Sequence, residues 1–376
     1  MTIDGAWRVL QVTRNFPPLL GGMERLNWHV AAQLLRQGPL RLVAPRGARA
    51  QAPTGVEVIE AGSASPGAFL PTAAWLALRA AHAWRPTLVL AGSGLAAPLA
   101  LAAARASKAR AAAYLHGLDI SVPHPAYRAL WWPALRRLDR VLVNSRATAE
   151  LARKAGIDPS RLRIVHPGVE LRAPDPTARA RMRAALGVQD RALLLAVGRL
   201  TRRKGLLEFV RDVLPIIVAR RPDALLVVIG EAPSHALHAH AVTPEDILHA
   251  ARVAGVEAHL RLLGRFDEAR LADAYQGCDV HVFPVRSTEA DPEGFGMVAI
   301  EAAAHGLPTL AYASGGVVDA VADGVSGRLI EPGNAAAFAA AVVDTLATPP
   351  SVEALRAFAA NFAWPQFGQR LVEALA

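Results

Sequence analysis

Short apolar runs bounded by turn residues alternate along this chain with segments whose apolar positions recur at helical spacing. In the first half the runs at 7–12, 40–44, 56–60, 87–91, 110–115, 139–144 and 162–166 are too short for helices and read as strands. Amphipathic or alanine-rich segments at 22–37, 70–84, 95–106, 125–138 and 146–155 read as helices. Strands alternating with helices predict parallel strands joined by crossover helices, a doubly wound sheet.

After His166-Pro-Gly-Val169, the proline-rich Ala173-Pro-Asp-Pro-Thr177 marks a linker and a boundary. A second series then begins, with strands expected at 192–198, 224–230, 259–263, 279–283, 308–311 and 327–330. Helices are expected at 205–220, 244–254, 268–275, 297–305, 316–322 and 334–346. The predicted architecture is α/β, two Rossmann-like domains facing each other across a cleft, with an N-terminal domain over 1–170 and a C-terminal domain over 171–360. The tail from 351 reads as helical, interrupted at Asn361-Phe-Ala-Trp-Pro365.

Composition excludes several classes. A chain of 376 residues is long enough for two cores, and its high apolar content argues against disorder. The single cysteine, Cys278, rules out an internal disulfide and a cysteine-based metal site, and fits a reducing compartment. A strand-like run opens almost at once, at Trp7, so no signal peptide is visible and a cytoplasmic location is expected. Leu88–Ala104 resembles a membrane span in composition, but Gly92, Ser93, Gly94 and Pro98 make it a strand, a glycine turn and a helix.

Charge is unevenly shared: residues 1–169 carry net +13 and residues 170–376 net −4. A basic first half suits an anionic partner, either a lipid surface on the inner face of the plasma membrane or a phosphorylated acceptor; the alternative is arginines solvating an alanine-rich surface. No nucleic-acid module is recognisable, so nucleic acid is not expected as a partner. Only Lys108, Lys154 and Lys204 are lysines, against 38 arginines, which draws attention to any lysine retained at a candidate site.

The most informative stretch is Glu293-Gly-Phe-Gly-Met-Val-Ala-Ile-Glu301. Gly294, Phe295 and Gly296 form a turn that opens a helix at Met297 and Val298, whose N–H groups and dipole suit a phosphate. Glu293 then lies in the loop, and Glu301 about one turn inside the helix, where a carboxylate suits hydroxyls, as acidic residues read ribose in dinucleotide sites. The plainer reading makes Glu293 a cap and Glu301 a solvated side chain; against it, Glu301 is flanked by apolar residues on both sides.

Val197-Gly-Arg-Leu-Thr-Arg-Arg-Lys-Gly205 follows a strand, so Arg199 and Lys204 emerge where ligands of open α/β sheets bind and could hold a diphosphate. Gly21-Gly22 precedes the first helix and either places N–H groups against a ligand or simply makes a tight turn. His116-Gly-Leu-Asp119 ends a strand; His116 could donate to a sugar hydroxyl or phosphate, with Asp119 orienting it or binding acceptor, and a structural histidine is the alternative. His235, His238 and His240 lie in a loop without a supporting carboxylate pattern, and no Asp-x-Asp pair occurs, so no metal or other cofactor is expected. Trp131 and Trp132, beside Arg128, Arg136 and Arg137, suit either a membrane interface or the core.

Gly21-Gly22, His116-Gly-Leu-Asp119, His166-Pro-Gly-Val169, Gly198-Arg199, Lys204-Gly205 and Glu293 to Glu301 together resemble the retaining glycosyltransferases of family 4, a glycogen-synthase-like and mannosyltransferase-like group with the GT-B fold. The resemblance implies a nucleotide-sugar donor, a GDP- or UDP-sugar, bound mainly by the second domain. Glu293 would face the transferred sugar, Glu301 would grip the ribose, and Arg199 and Lys204 would hold the diphosphate. His116 would join the catalytic set, with Gly21, Gly22, Glu231, Phe295, Gly296, Met297 and Val298 lining the donor and Asp119 the acceptor. It further implies a glycan or lipid-linked acceptor in cell-surface polysaccharide or lipopolysaccharide synthesis, and a last helix, 361–376, that crosses back to the first domain. Gly230-Glu231-Ala232-Pro233 departs from the family's usual Gly-Glu-Gly near the base. A sugar-nucleotide 2-epimerase of the same fold and a basic membrane- or glycan-binding scaffold with an inactive donor site are the rival expectations.

Overall fold

The computed structural model describes residues 7–232, 241–286, 288 and 290–376. The histidine loop from His235 to His240 lies outside them. Two compact units emerge, Met1–Gly168 with Trp364–Ala376, and Val169–Ala363; the sequence-based divisions stood at 170 and 361.

In the first unit the apolar runs become seven strands: β1 Val9–Val12, β2 Leu40–Ala44, β3 Glu57–Glu60, β4 Leu88–Ala91, β5 Arg110–Leu115, β6 Arg140–Val143 and β7 Leu162–Ile164. All pair in parallel in the order β3-β2-β1-β4-β5-β6-β7. In the second unit β8 Ala192–Val197, β9 Ala224–Ile229, β10 Leu260–Leu262, β11 Val280–Phe283, β12 Thr309–Tyr312 and β13 Gly327–Ile330 form a parallel sheet ordered β10-β9-β8-β11-β12-β13. Central strands such as β9, Ala-Leu-Leu-Val-Val-Ile, are buried along their whole length, as a strand covered by helices on both faces must be. Each sheet reverses its strand order once, between β1 and β4 and between β8 and β11, and ligands of open α/β sheets bind at such reversals.

Three departures from the expected elements have identifiable causes. The segment after the proline-rich boundary contains a helix, Ala178–Leu186, that the sequence reading missed because its arginines mask the buried Ala178 and Met182. It packs on the helix Glu268–Gly277, so closely that a Cβ at Gly277 would lie 2.5 Å from that of Met182. The single helix expected at 205–220 is broken by a π turn, Phe209–Val213; Pro215 has no N–H to offer the carbonyl of Arg211, so the ladder must widen there. A short helix, Leu118–Ser121, immediately follows His116-Gly117.

The helix Trp364–Leu375 belongs to the first unit. Its Trp364 ring stacks on His29, with ring centroids 3.4 Å apart and planes 8° apart, against the helix Gly22–Leu35. Burial, with the Arg25 charge nearby, lowers the His29 pKa to about 3, so the stacked imidazole is neutral. The strand and helix read within Leu88–Ala104 are present, and no single helix among the described residues is long and apolar enough to cross a membrane.

Candidate active site

The β8 and β11 ends bring the second unit's candidate residues together. After β8 the chain runs through Arg199, exposed, to a turn at Arg202–Lys204 closed by Gly205. Gly205 has φ 68°, and a Cβ there would fall 1.9 Å from the Pro284 carbonyl oxygen, so only glycine lets this turn press against the chain leaving β11. Arg286 N–H closes the contact by donating to the Arg203 carbonyl at 2.8 Å.

This approach delivers Lys204 to Glu293. Lys204 Nζ donates to Glu293 Oε2 at 2.9 Å and sits 4.7 Å from the centroid of the Phe283 ring. The lysine side chain keeps 18% of its surface and the glutamate 10%, so Lys204, read from sequence as emerging at a strand end to hold a diphosphate, is sheltered and ion-paired. Burial alone would push Glu293 up, but Lys204, Arg203 and Arg199 outweigh it and hold the carboxyl at about 2. Burial moves Lys204 the other way, below its ordinary value, with Glu293 opposing.

Arg203 was read only as part of a basic run, and the structure gives it a place of its own. Its Nη1 donates to Asp291 Oδ1 and to the Pro292 carbonyl, each at 2.9 Å, and its Nε lies 3.3 Å from Glu293 Oε2. It thereby clamps the loop that presents Glu293. No local signal separated it from Arg202, which is exposed.

The turn and helix after Glu293 form as expected. Gly296 has φ 92° and precedes the helix Met297–Ala304; a Cβ there would lie 2.7 Å from Phe283 Cε1. The first N–H groups of this helix, at Met297 and Val298, have no acceptor within the helix and are of the kind that binds anions. The Phe295 side chain does not line an open site: it is 2% exposed and packs near Phe362, 5.8 Å between centroids. Glu301 is 8% exposed, which removes the solvated-face reading, and accepts a hydrogen bond from Tyr275 Oη at 3.1 Å. Glu231 is exposed, and its carbonyl accepts from Leu200 N–H at 2.9 Å. A small cavity lined by Gly198, Arg199, Lys204, Leu206, Val282 and Phe283 opens beside this cluster.

The first unit holds the rest. Gly21 and Gly22 are exposed at the start of the helix Gly22–Leu35, and a Cβ on Gly21 would meet Glu24 Oε2 at 2.4 Å. His116 is 8% exposed, its Nε2 3.0 Å from the Gly92 carbonyl at the end of β4. Asp119 does not orient the imidazole; its Oδ1 accepts from His116 backbone N–H at 2.9 Å and its Oδ2 from Gly94 N–H at 2.7 Å. The carboxylate ties two strand-end turns together, which leaves it less suited to an acceptor than a free carboxylate would be. Trp131 and Trp132 are half-buried: Trp131 Nε1 donates to the Leu95 carbonyl at 3.0 Å, and Trp132 lies within cation–π range of Arg128 and Arg136. Among the described residues no cluster of three His, Cys, Asp or Glu could hold a metal ion.

Comparison with known proteins converges on one family. The profile described as Glycosyltransferase Family 4 matches residues 20–173, and that described as Glycosyl transferases group 1 matches residues 191–348. The GDP-mannose-dependent alpha-(1-6)-phosphatidylinositol monomannoside mannosyltransferase of Mycolicibacterium smegmatis is 31% identical, over 98% of this chain and 98% of its own. D-inositol 3-phosphate glycosyltransferase of Mycolicibacterium gilvum is 34% identical over 64% of this chain and 53% of its own. Among solved structures, Anabaena Alr3699/HepE in complex with UDP superposes with a TM-score of 0.78 at 20% identity, covering 98% of this chain and 99% of that one. WaaG, a glycosyltransferase involved in lipopolysaccharide biosynthesis, gives 0.68 at 17%, with 98% of both chains covered. At these identities the two structures speak for the fold alone.

Proposed function

The chain belongs to the family 4 glycosyltransferases and has their GT-B fold, and we propose that it transfers a hexose with retention from GDP-mannose to a lipid-linked or glycan acceptor, without a metal ion. The observation that carries this reading is the Lys204–Glu293 pair at the strand-order reversal of the second sheet, next to the helix opening at Met297. GDP-mannose is favoured over a UDP-sugar because the relative matching nearly the whole chain is named for it.

In the proposed reaction an acceptor hydroxyl attacks the anomeric carbon from the face the diphosphate leaves. The bond from that carbon to the phosphate oxygen breaks, its electron pair stays with the diphosphate, and the diphosphate oxygen takes the acceptor's proton. The centre in between resembles an oxocarbenium ion, which the ionised Glu293 stabilises. Arg199, Lys204 and the first N–H groups of the helix Met297–Ala304 receive the negative charge developing on the diphosphate. Fixed cations in these roles make a divalent ion unnecessary. Glu301 accepts from the ribose hydroxyls, and His116 in the first unit serves the transferred sugar or the acceptor. The bond to Glu293 fixes the place of the Lys204 ammonium, so the diphosphate need not order a mobile side chain.

A membrane-borne acceptor fits the helix Pro125–Leu135, which exposes Arg128 and Leu130, the latter to 66%, and is followed by exposed Arg136 and Arg137. We place the enzyme at the inner face of the plasma membrane, in the synthesis of a cell-surface glycan or glycolipid.

The deciding experiment incubates the protein with GDP-mannose, UDP-glucose and UDP-galactose in excess EDTA, with a phosphatidylinositol mannoside extract as acceptor. Transfer from GDP-mannose, with an α-linked product seen by NMR, is the expected result. Transfer from a UDP-sugar alone would overturn the donor, a β-linked mannoside would overturn retention, and activity restored only by added Mg²⁺ would overturn metal independence.

A further inference from the structure

Glu301 lies inside the helix Met297–Ala304 at 8% exposure, and its orientation is set from a neighbouring helix. Tyr275, on Glu268–Gly277, donates its phenolic hydroxyl to Glu301 Oε2 at 3.1 Å. The tyrosine is in turn immobilised: it is 2% exposed, stacks on His305 with centroids 5.2 Å apart and planes 18° apart, and meets the His281 ring at 75°. His305 closes the arrangement through its Nδ1, 2.9 Å from the carbonyl oxygen of Glu301 itself. One ring is therefore held by a stacked histidine and an edge-on one, which fix the place of its hydroxyl relative to a single carboxylate.

The last torsion of a glutamate is soft, so an unanchored carboxylate samples many planes. A ribose presents two adjacent hydroxyls, both donors, and a carboxylate held in one plane accepts from them without losing orientational freedom on binding. Donation from Tyr275 to Oε2 supplies that constraint.

We propose that Tyr275 is the positioning residue that aims Glu301 at the ribose hydroxyls, and that it sets the preference of this enzyme for ribonucleotides over deoxyribonucleotides. The inference rests on the reading of Glu301 as the ribose carboxylate. Tyr275 touches no reacting atom; it acts on how tightly the donor is held and on which sugar the nucleotide carries.

Tyr275→Phe keeps the ring and its packing on His305 and His281 while removing only the hydroxyl, so the fold is expected to survive. Binding of GDP and UDP is compared by calorimetry with their 2′-deoxy and 3′-deoxy forms, and donor kinetics are run with GDP-mannose, for the wild type, Tyr275→Phe and Glu301→Gln. The wild type should prefer the ribonucleotide by about tenfold or more, the worth of a hydrogen bond to a charged group. In Tyr275→Phe that preference should fall to about twofold and the donor KM should rise about fivefold, with kcat within about twofold. If Tyr275→Phe retains both preference and KM while Glu301→Gln loses the preference, the positioning role is overturned and the ribose reading stands. If Glu301→Gln also retains the preference, the ribose reading itself falls and takes the proposal with it.

Discussion

Lys204 Nζ and Glu293 Oε2 are 2.9 Å apart, joined across loops that leave two different strands of the second sheet. The pair is almost closed to solvent, and its charges keep each other ionised in a place where either alone would be costly. The cation and the carboxylate proposed to act on the donor are thus direct partners of each other.

Removing the cation should cost both chemistry and stability. Lys204→Ala and Arg199→Ala are each expected to lower kcat by about a hundredfold to a thousandfold, the effect of deleting one charge donor to a developing anion. Only Lys204→Ala should also lower stability, by about 1–3 kcal/mol, because it leaves Glu293 buried with Arg203 as its remaining close cation. Steady-state rates and thermal melts on both variants separate the two effects; full activity in either variant would remove it from the diphosphate site.

Arg203 reaches three consecutive residues, Asp291, Pro292 and Glu293, and so holds the loop that presents Glu293. Arg203→Lys cannot reproduce a planar guanidinium whose Nη1 bonds Asp291 and Pro292 while its Nε faces Glu293. It is expected to lower kcat about tenfold, with a smaller change in donor KM. A lysine variant as active as the wild type would show that charge alone suffices there.

Glu293 is held at about 2, below its ordinary 4.5, so its pairing stabilises the fold fully above about pH 4.5 and is progressively lost as pH falls toward 2. The wild type should therefore lose stability between pH 5 and 3 more steeply than Glu293→Gln, which has no proton to take up. Between pH 5 and 8 protonation of Glu293 should impose no acid limb on kcat. Equal acid slopes in the two proteins, measured by thermal melts in a buffer series, would show that the carboxyl is not depressed.

The helix Pro125–Leu135 and the arginines that follow it should bring the protein to anionic vesicles. Each basic residue near a charged bilayer contributes about 1 kcal/mol, and the attraction fades with salt as charges are screened over about 10 Å at 0.1 M. Sedimentation with phosphatidylglycerol vesicles is expected to carry the wild type down at low salt and release it at 0.5 M. The double variant Arg136→Glu, Arg137→Glu should stay in the supernatant. Absence of wild-type binding even at low salt would point to a soluble acceptor.

The alternation of apolar runs with helical segments was enough to place all thirteen strands named above; central ones such as β9, buried on both faces, leave an uninterrupted apolar signature, whereas outer ones such as β3 and β7 are partly exposed. Glu293 and Lys204 drew attention for another reason: each directly precedes a glycine, Gly294 and Gly205, in a turn where the geometry at Gly205 and Gly296 requires that residue. Arg203 and Tyr275 were not legible. Their importance comes from contacts spanning 88 and 26 residues of sequence, and neither has a neighbour that marks it. The helix Ala178–Leu186 escaped notice because its inward face is narrow and one of its buried residues, Arg183, is a charged side chain paired with Asp279.

The stacking of Trp364 on His29 has a consequence for biosynthesis. As the chain leaves the ribosome, the first unit is synthesised up to Gly168 and must then wait while all of Val169–Ala363 emerges before its last helix arrives. During that interval the outward face of Gly22–Leu35 that will meet Trp364 and Gly368 is uncovered, open to chaperones or to the wrong neighbour. Truncating the C-terminus should therefore damage the half of the molecule made first and spare the half made last.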